Sequence, residues 1–441
     1  MNTLLTPQDT AFTLRELPPP RLGMAMLGDD EVELAVAAIR SQRLFRYAYD
    51  LPLDQQGPMV STLEKEVAAA SHTRFALGVT SGSAALEVAL AALGVGPGDE
   101  VIIPAWSWVS CFTSVVRLGA LPVMAEIDES LCLATGEITR LKSSRTKAVM
   151  VVHYQGVPAD MDPLIEEADL AGLPILEDCA EAPGASYRGR PVGSMGKIGI
   201  LSFQHQKCIT SGEGGMVVTS DPLLYERSVR LHDLGFYRGF HTLHTKPQGE
   251  AFCGGQYRMN ELTGAVALGQ YRKVQLLREH CRNLAAPIIE ALREFPMCTL
   301  RRIPDPTGDF GYETYFFVSS ESLRDAFTKQ LEELNVACIR MTGTYGQFSR
   351  DYCKNAAVYT AAASPFTSFP SWPAPGYRAN DFPRTVDLFS RMISIPVGIL
   401  HSQEDAAYIA DAIRHTAIKL GLGRVIDRST TLSPNALPAR S

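Results

Sequence analysis

Between residues 60 and 220 apolar positions fall into two alternating patterns. Short unbroken apolar runs rich in Val and Ile recur as FALGVTS, DEVIIPA, LPVMAEI, KAVMVVHYQ, LPILED and KIGILSF. Runs of that length and composition predict strands buried on both faces, hence a largely parallel sheet covered by helices. Helical stretches stand between them. SAALEVALAAL puts Leu86, Leu90 and Leu93 on one face. STLEKEVAAAS reads as a helix opened by a capping box from Ser61 to Glu64. Alternating strand and helix predict an α/β fold.

From about residue 257 to 295 the pattern turns helical, predicting a bridge to a second unit. ETYFFVSS and RMISIPVG then read as strands and SLRDAFTKQLEEL as a helix, so a smaller α+β domain is expected to close the chain. The organisation predicted is an N-terminal arm and helix (1–55), a large domain (56–285), a small C-terminal domain (286–421) and a flexible tail (422–441), where periodicity is lost.

Composition narrows the function classes. Hydrophobic residues make up 46% of the 441 and charged residues 20%, enough for ample cores. A net charge of -7 without blocks of like charge argues against nucleic acid or an anionic membrane surface as a partner. No apolar stretch approaches the ~20 residues that span a bilayer, and MNTLLTPQDTAF lacks the basic and apolar regions of a secretory signal. Nine cysteines without a C-x-x-C pair indicate neither a zinc site nor a disulfide framework, and no metal is expected. A cytoplasmic enzyme is the expectation.

Ligands of open α/β sheets bind outside the carboxyl ends of the strands, and four such ends carry polar groups. In VTSGSAALEVAL a strand breaks at Ser81-Gly82-Ser83 and a helix begins at once, leaving unpaired N–H groups that suit an anion. In IIPAWSWVS, Trp106 and Trp108 offer an aromatic plate. In LPILEDCAEA, Asp178 follows an apolar run with Glu177 before it and Glu181 after it. In SFQHQKCITSGEGG, Lys207 stands alone between two predicted strands, where desolvation favours a neutral, nucleophilic amine. Each has an ordinary reading alone: an N-cap, core filling, a salt-bridged acid, a solvated lysine. Together they supply a phosphate cradle, a stacking ring, a carboxylate for a pyridinium nitrogen and an amine for an aldehyde, which is what pyridoxal 5′-phosphate requires. Lys207 is the predicted Schiff-base lysine.

The order SGSAAL, PAWSW, EDCAEA, SFQHQK-x₃-SGEGG and QYRMNEL resembles the DegT/DnrJ/EryC1/StrS family of sugar and aminocyclitol aminotransferases, from about residue 28 to 404. The resemblance implies the fold type I architecture, with a large domain of mostly parallel sheet and a smaller C-terminal domain. It also implies a homodimer with active sites shared between subunits. Gly82 and Ser83 match the phosphate-binding turn, with Ser202 a further phosphate ligand. Trp108 matches the stacking position, Asp178 the pyridine-nitrogen partner and Lys207 the Schiff-base lysine. Two positions depart from the pattern. Glu181 stands where a Gln or His near the cofactor's phenolic oxygen is common, and Gln256 where an Asn reaches the neighbouring subunit's phosphate. A lysine at 207, where a dehydratase branch has His, implies transamination.

SFQ-x-x-K with TSGEGG resembles most the branch that aminates keto-cyclitols such as 2-deoxy-scyllo-inosose, and the aminohydroxybenzoate synthases. The donor implied is L-glutamine or L-glutamate, the acceptor a keto-cyclitol or keto-sugar in secondary-metabolite or amino-sugar biosynthesis. Nucleotide-linked keto-sugar aminotransferases, a PLP-dependent dehydratase and a non-catalytic PLP-binding regulator are the alternatives. His153, Tyr154 and Gln155 follow a strand and are candidates to bond acceptor hydroxyls, while Arg238 and Arg258 are candidates to meet a carboxylate or phosphate.

Overall fold

The computed structural model describes residues 12–340, 346–360, 364–368 and 377–423. The first eleven residues of the predicted arm and nearly all of the predicted tail lie outside them.

Seven strands form the large sheet: β1 (Phe75–Val79), β2 (Glu100–Pro104), β3 (Leu121–Ala125), β4 (Thr146–Val152), β5 (Ile175–Asp178), β8 (Ile198–Ser202) and β9 (Gly215–Thr219). A hairpin of β6 (Ser186–Tyr187) and β7 (Arg190–Pro191) interrupts the series. The spatial order is β1-β9-β8-β5-β4-β2-β3. β9 alone runs antiparallel to its neighbours, β1 and β8, and the other pairings are parallel. Nearly every residue of these strands is buried, as the unbroken apolar runs require. Helix Gly82–Ala92 lies against β8 and β9, with Leu86 and Leu90 in the core and Leu93 partly covered.

The predicted capping box is absent. The helix carrying it spans Pro58–Ala70, with Pro58 in its first turn and Gly57 at its N-cap in the left-handed region at φ +57°. Ser61 and Glu64 therefore lie inside the helix and are buried, and Glu64 instead meets Arg46 and accepts from the Gly78 N–H at 2.6 Å.

The stretch from 257 to 295 divides into helices Glu261–Tyr271 and Val274–Arg293. The domain boundary predicted between residues 285 and 286 falls inside the second, which continues unbroken to its C-terminus. That helix packs on Gln403–Lys419, and together with helix Glu321–Glu333 they flank an antiparallel sheet in the order β10-β11-β13-β12. Its strands are β10 (Thr299–Leu300), β11 (Glu313–Phe317), β12 (Ile339–Arg340) and β13 (Met392–Pro396). One apolar cluster joins Val60, Leu63 and Phe203 to Leu277, Phe316 and Ile409, so the large sheet and the four-stranded sheet share a core.

Candidate active site

The carboxyl ends of β1, β2, β4, β5 and β8 converge on a cavity of about 520 Å³. Ser81, Gly82 and Ser83, Trp108, Asp178, Glu181, Ser202 and Lys207 all line it, so the four segments singled out by sequence meet in one place.

The turn after β1 is built as an anion cradle. Ser81 is the N-cap of helix Gly82–Ala92, its hydroxyl accepting from the Ala84 N–H at 3.0 Å. The N–H groups of Gly82 and Ser83 precede any intrahelical acceptor, and the helix dipole adds positive potential there. A Cβ at Gly82 would stand 2.8 Å from Cβ and Oγ of Ser202, so only glycine lets the turn and that serine close around one small group. Ser83 Oγ pairs with Ser110 Oγ at 2.8 Å.

The two tryptophans separate. Trp106 is buried, its ring 4.6 Å from Phe389 and 5.3 Å from Tyr154, and serves as core. Trp108, two positions on, is 63% exposed on the cavity wall and leaves an indole face free.

Asp178 ends β5, buried, with Oδ1 accepting from the Ala180 N–H at 2.9 Å and Oδ2 from the Cys111 thiol at 3.3 Å. Burial holds its carboxyl above the usual aspartate range, against the lowering effect of those two bonds and of Lys207. Lys207 lies opposite, its Nζ donating to Glu181 Oε1 at 3.1 Å. Desolvation works against the ammonium, but the Glu181 charge and hydrogen bond outweigh it and hold the Lys207 pKa above normal. Burial alone would favour a neutral amine, as the sequence suggests, but the pairing with Glu181 favours the ammonium of Lys207. Glu181 Oε2 takes the Gln155 N–H at 3.0 Å. Tyr312 closes this side, its hydroxyl donating to Gln155 Oε1 at 2.7 Å, with the Glu181 carbonyl 3.1 Å away as the alternative acceptor.

Of the proposed substrate residues, His153, Tyr154, Arg238 and Arg258 do not line the cavity, and Gln155 does. His153 is fully buried, its Nδ1 accepting from the Ala159 N–H at 3.1 Å, so its Nε2–H donates to Glu177 at 3.0 Å. Glu177 also takes the N–H groups of Gly193 and Met195, and both residues brace the sheet. Tyr154 is buried against Trp106 and Tyr315. Of this trio only Gln155 reaches the wall, turned by a left-handed φ of +47°. Such a conformation costs roughly 1–2 kcal/mol in a residue with a side chain, and here it delivers both the Gln155 N–H and its amide to the cleft. Arg238 and Arg258 both pair with Asp233, outside the cavity. Gln256 bridges Asp233 along the backbone in the same cluster, away from this chain's own cradle. Sequence reasoning missed Cys111 and Tyr312. The turn at Gly311 (φ +80°) directly before Tyr312 was the available signal.

These residues fit pyridoxal 5′-phosphate: an N–H cradle with the space a Cβ would fill, a free indole face, a buried carboxylate and a lysine amine on one cavity. Fold and site together define a fold type I, pyridoxal-phosphate-dependent aminotransferase. The sequence matches the DegT/DnrJ/EryC1/StrS aminotransferase family over residues 49–414, and the chain belongs to that family. Solved structures agree. A 3-amino-5-hydroxybenzoic acid synthase is 26% identical with a TM-score of 0.74, matched over 92% of this chain and 100% of its own. DesV of S. venezuelae is 28% identical at a TM-score of 0.71, over 90% and 99%. DesI, solved with its TDP-sugar product, is 26% identical at a TM-score of 0.70, over 93% and 94%.

Proposed function

We propose that this enzyme transfers the amino group of L-glutamine or L-glutamate to the ketone of a cyclitol or free keto-sugar, in amino-sugar or secondary-metabolite biosynthesis. One observation carries the choice of acceptor: among the described residues lining the cleft, Lys207 is the one cation, while Gln155, Gln204 and Gln206 present amides. Amides bond neutral hydroxyls by donating and accepting, whereas a nucleotide diphosphate calls for arginine or lysine.

Pyridoxal phosphate, when bound, supplies the electron sink that lets a donor amino acid lose its α-proton. The roles left to the chain follow from position. Gly82 and Ser83 N–H groups and the Ser202 hydroxyl would hold the phosphate, and Trp108 would cover a ring face. Asp178 would keep a proton on the ring nitrogen. Lys207 Nζ would hold the cofactor through its aldehyde and, as a free amine, would be the group that moves the donor's α-proton. The active assembly in this reading is a homodimer. The exposed Phe45, Tyr49 and Phe236, beside Arg238, form the surface we assign to the second subunit, whose cradle Gln256 would then reach. Among the described residues no helix is long and apolar enough to cross a membrane, and we place the enzyme in the cytoplasm.

The test is spectral. The visible band of the lysine-bound cofactor is expected to convert to the pyridoxamine form on adding L-glutamine or L-glutamate, and to return on adding a keto-cyclitol such as 2-deoxy-scyllo-inosose. Return only with a nucleotide-linked keto-sugar would replace this acceptor assignment. A Lys207→Ala protein that still turns over would overturn the catalytic one.

A further inference from the structure

A carboxylate that is to meet a ring nitrogen needs a fixed orientation, and the backbone around Asp178 supplies only half of it. The Ala180 N–H donates to Oδ1 at 2.9 Å. The terminal torsion of an aspartate is broad, so one hydrogen bond leaves the other oxygen free to swing. The Cys111 thiol takes that oxygen, donating to Oδ2 at 3.3 Å from 67 residues away along the chain. Cys111 is fully buried, and burial, reinforced by the Asp178 charge, pushes its thiol well above the usual range. The sulfur therefore keeps its proton and donates.

Three other buried thiols do nothing comparable. Cys132, Cys179 and Cys208 reach main-chain carbonyls, at 3.7, 3.8 and 3.9 Å, and cysteines of that kind are small core residues. Cys111 differs in its partner and in its setting. Its N–H donates to the Trp108 carbonyl at 3.1 Å, so one short turn after β2 carries both the indole on the cavity wall and the thiol on Asp178. Gln347 pins that stretch from far along the chain. Its N–H donates to the Ala105 carbonyl at 3.2 Å, and its buried amide to the Pro104 carbonyl at 3.3 Å and to the Ser107 hydroxyl.

We propose that Cys111 is a positioning residue for the reaction: its S–H and the Ala180 N–H, one on each oxygen, fix the orientation of the Asp178 carboxylate towards the cofactor's ring nitrogen. The inference rests on the reading of Asp178 given above. A carboxylate oxygen offers about two acceptor sites, so each still has capacity to spare after these bonds.

The experiment is a double-mutant cycle on the full chain, with Cys111→Ala and Cys111→Ser each made in wild-type and Asp178→Asn backgrounds. Two quantities are read: cofactor affinity, by fluorescence titration of the cofactor-free protein with pyridoxal phosphate, and the single-turnover rate with L-glutamine or L-glutamate, whichever converts wild type. In the wild-type background Cys111→Ala should lower the rate about tenfold and weaken cofactor binding about fivefold. In Asp178→Asn the same change should alter neither by more than about twofold, because the charge that it orients is gone. Cys111→Ser keeps a donor in place and should stay within about threefold of wild type in both quantities. A packing role alone would lower the thermal midpoint of the alanine variant in both backgrounds without coupling in rate or affinity, and that result would overturn the proposal. So would a Cys111→Ala protein that matches wild type beside an impaired Asp178→Asn, or a serine variant as impaired as the alanine one. An Asp178→Asn protein that itself matches wild type would strike the role of Asp178, and the proposal with it, so the two failures are told apart by which variant shows them.

Discussion

Glu181→Gln is the most informative single change in the cleft, because it removes a charge while keeping an oxygen to accept the Gln155 N–H. Lys207 Nζ and Glu181 Oε1 are 3.1 Å apart, and each side chain is less than one-fifth exposed. At an effective dielectric of about 20 the gross attraction over that distance is about 5 kcal/mol. Residual water, and the desolvation of Lys207 that persists in the variant, leave roughly 1–2 kcal/mol of net bias towards the ammonium. That corresponds to about a tenfold change in the amine's neutral fraction at fixed pH. Only the neutral amine attacks an aldehyde, so apo Glu181→Gln should take up pyridoxal phosphate about tenfold faster than wild type at neutral pH, measured by stopped-flow absorbance.

The sign has a second consequence. A lysine whose folded-state pKa is raised adds stability that is present below its unfolded value and lost as pH climbs through the folded one. The cofactor-free variant should therefore be less stable at neutral pH, and its uptake rate should level off at lower pH than that of wild type. Coincident rate–pH profiles for the two proteins would refute the claim that this ion pair governs the amine.

Three other changes bear on the same structure. Asp178→Asn should lower the rate of the donor half-reaction by about 100-fold or more, since a neutral amide cannot hold charge at the ring nitrogen; single-turnover kinetics matching wild type would sink that role. Gly82→Val puts carbon 2.8 Å from the Ser202 side chain and into the anion cradle, so cofactor affinity by fluorescence titration should fall by about tenfold and the urea midpoint should fall with it by overpacking; unchanged cofactor affinity would refute the cradle. Burial, reinforced by Arg46, holds the His232 imidazole down at about 3; because the unfolded chain takes up that proton first, stability is complete above pH 6.5 and is lost as pH falls from there towards 3. About 2 kcal/mol should go between pH 6.5 and 5, and a His232→Gln protein with the same slope in chemical denaturation would show that another group is responsible.

How much of this was legible in the sequence depended on the range of the interaction involved. The strands were readable because burial on both faces leaves its mark within five residues. The helix start at Ser61 was misread because the S-x-x-E spacing is also what a buried acid looks like when its partner comes from elsewhere. Arg46 is 18 residues upstream of Glu64 and answers its charge. Gly57 and Pro58 were the true start signal. Similarly, the sequence does not reveal that Asp233 sits between Arg238 and Arg258.

The site itself was more legible than its neighbours for a topological reason. In a parallel sheet the carboxyl ends of the strands open on one edge, so residues far apart in sequence share a cleft without any pairwise signal between them. What the rule leaves undecided is which of two or three adjacent polar residues faces the cleft. Strand alternation settles it for Glu177 and Asp178, which leave β5 on opposite faces: one turns to His153 and the Gly193 and Met195 N–H groups, the other to Lys207's side of the cavity. The same period would place Trp106 and Trp108, two residues apart, on one face, but the chain has left β2 by then, and one is buried while the other is open. Beyond β4 no period applies, and it is the left-handed turn at Gln155 that brings one of three polar side chains into the site. Such a turn is held by tertiary bonds to Glu181 and Tyr312, residues 26 and 157 positions away along the chain, so no local pattern announces it.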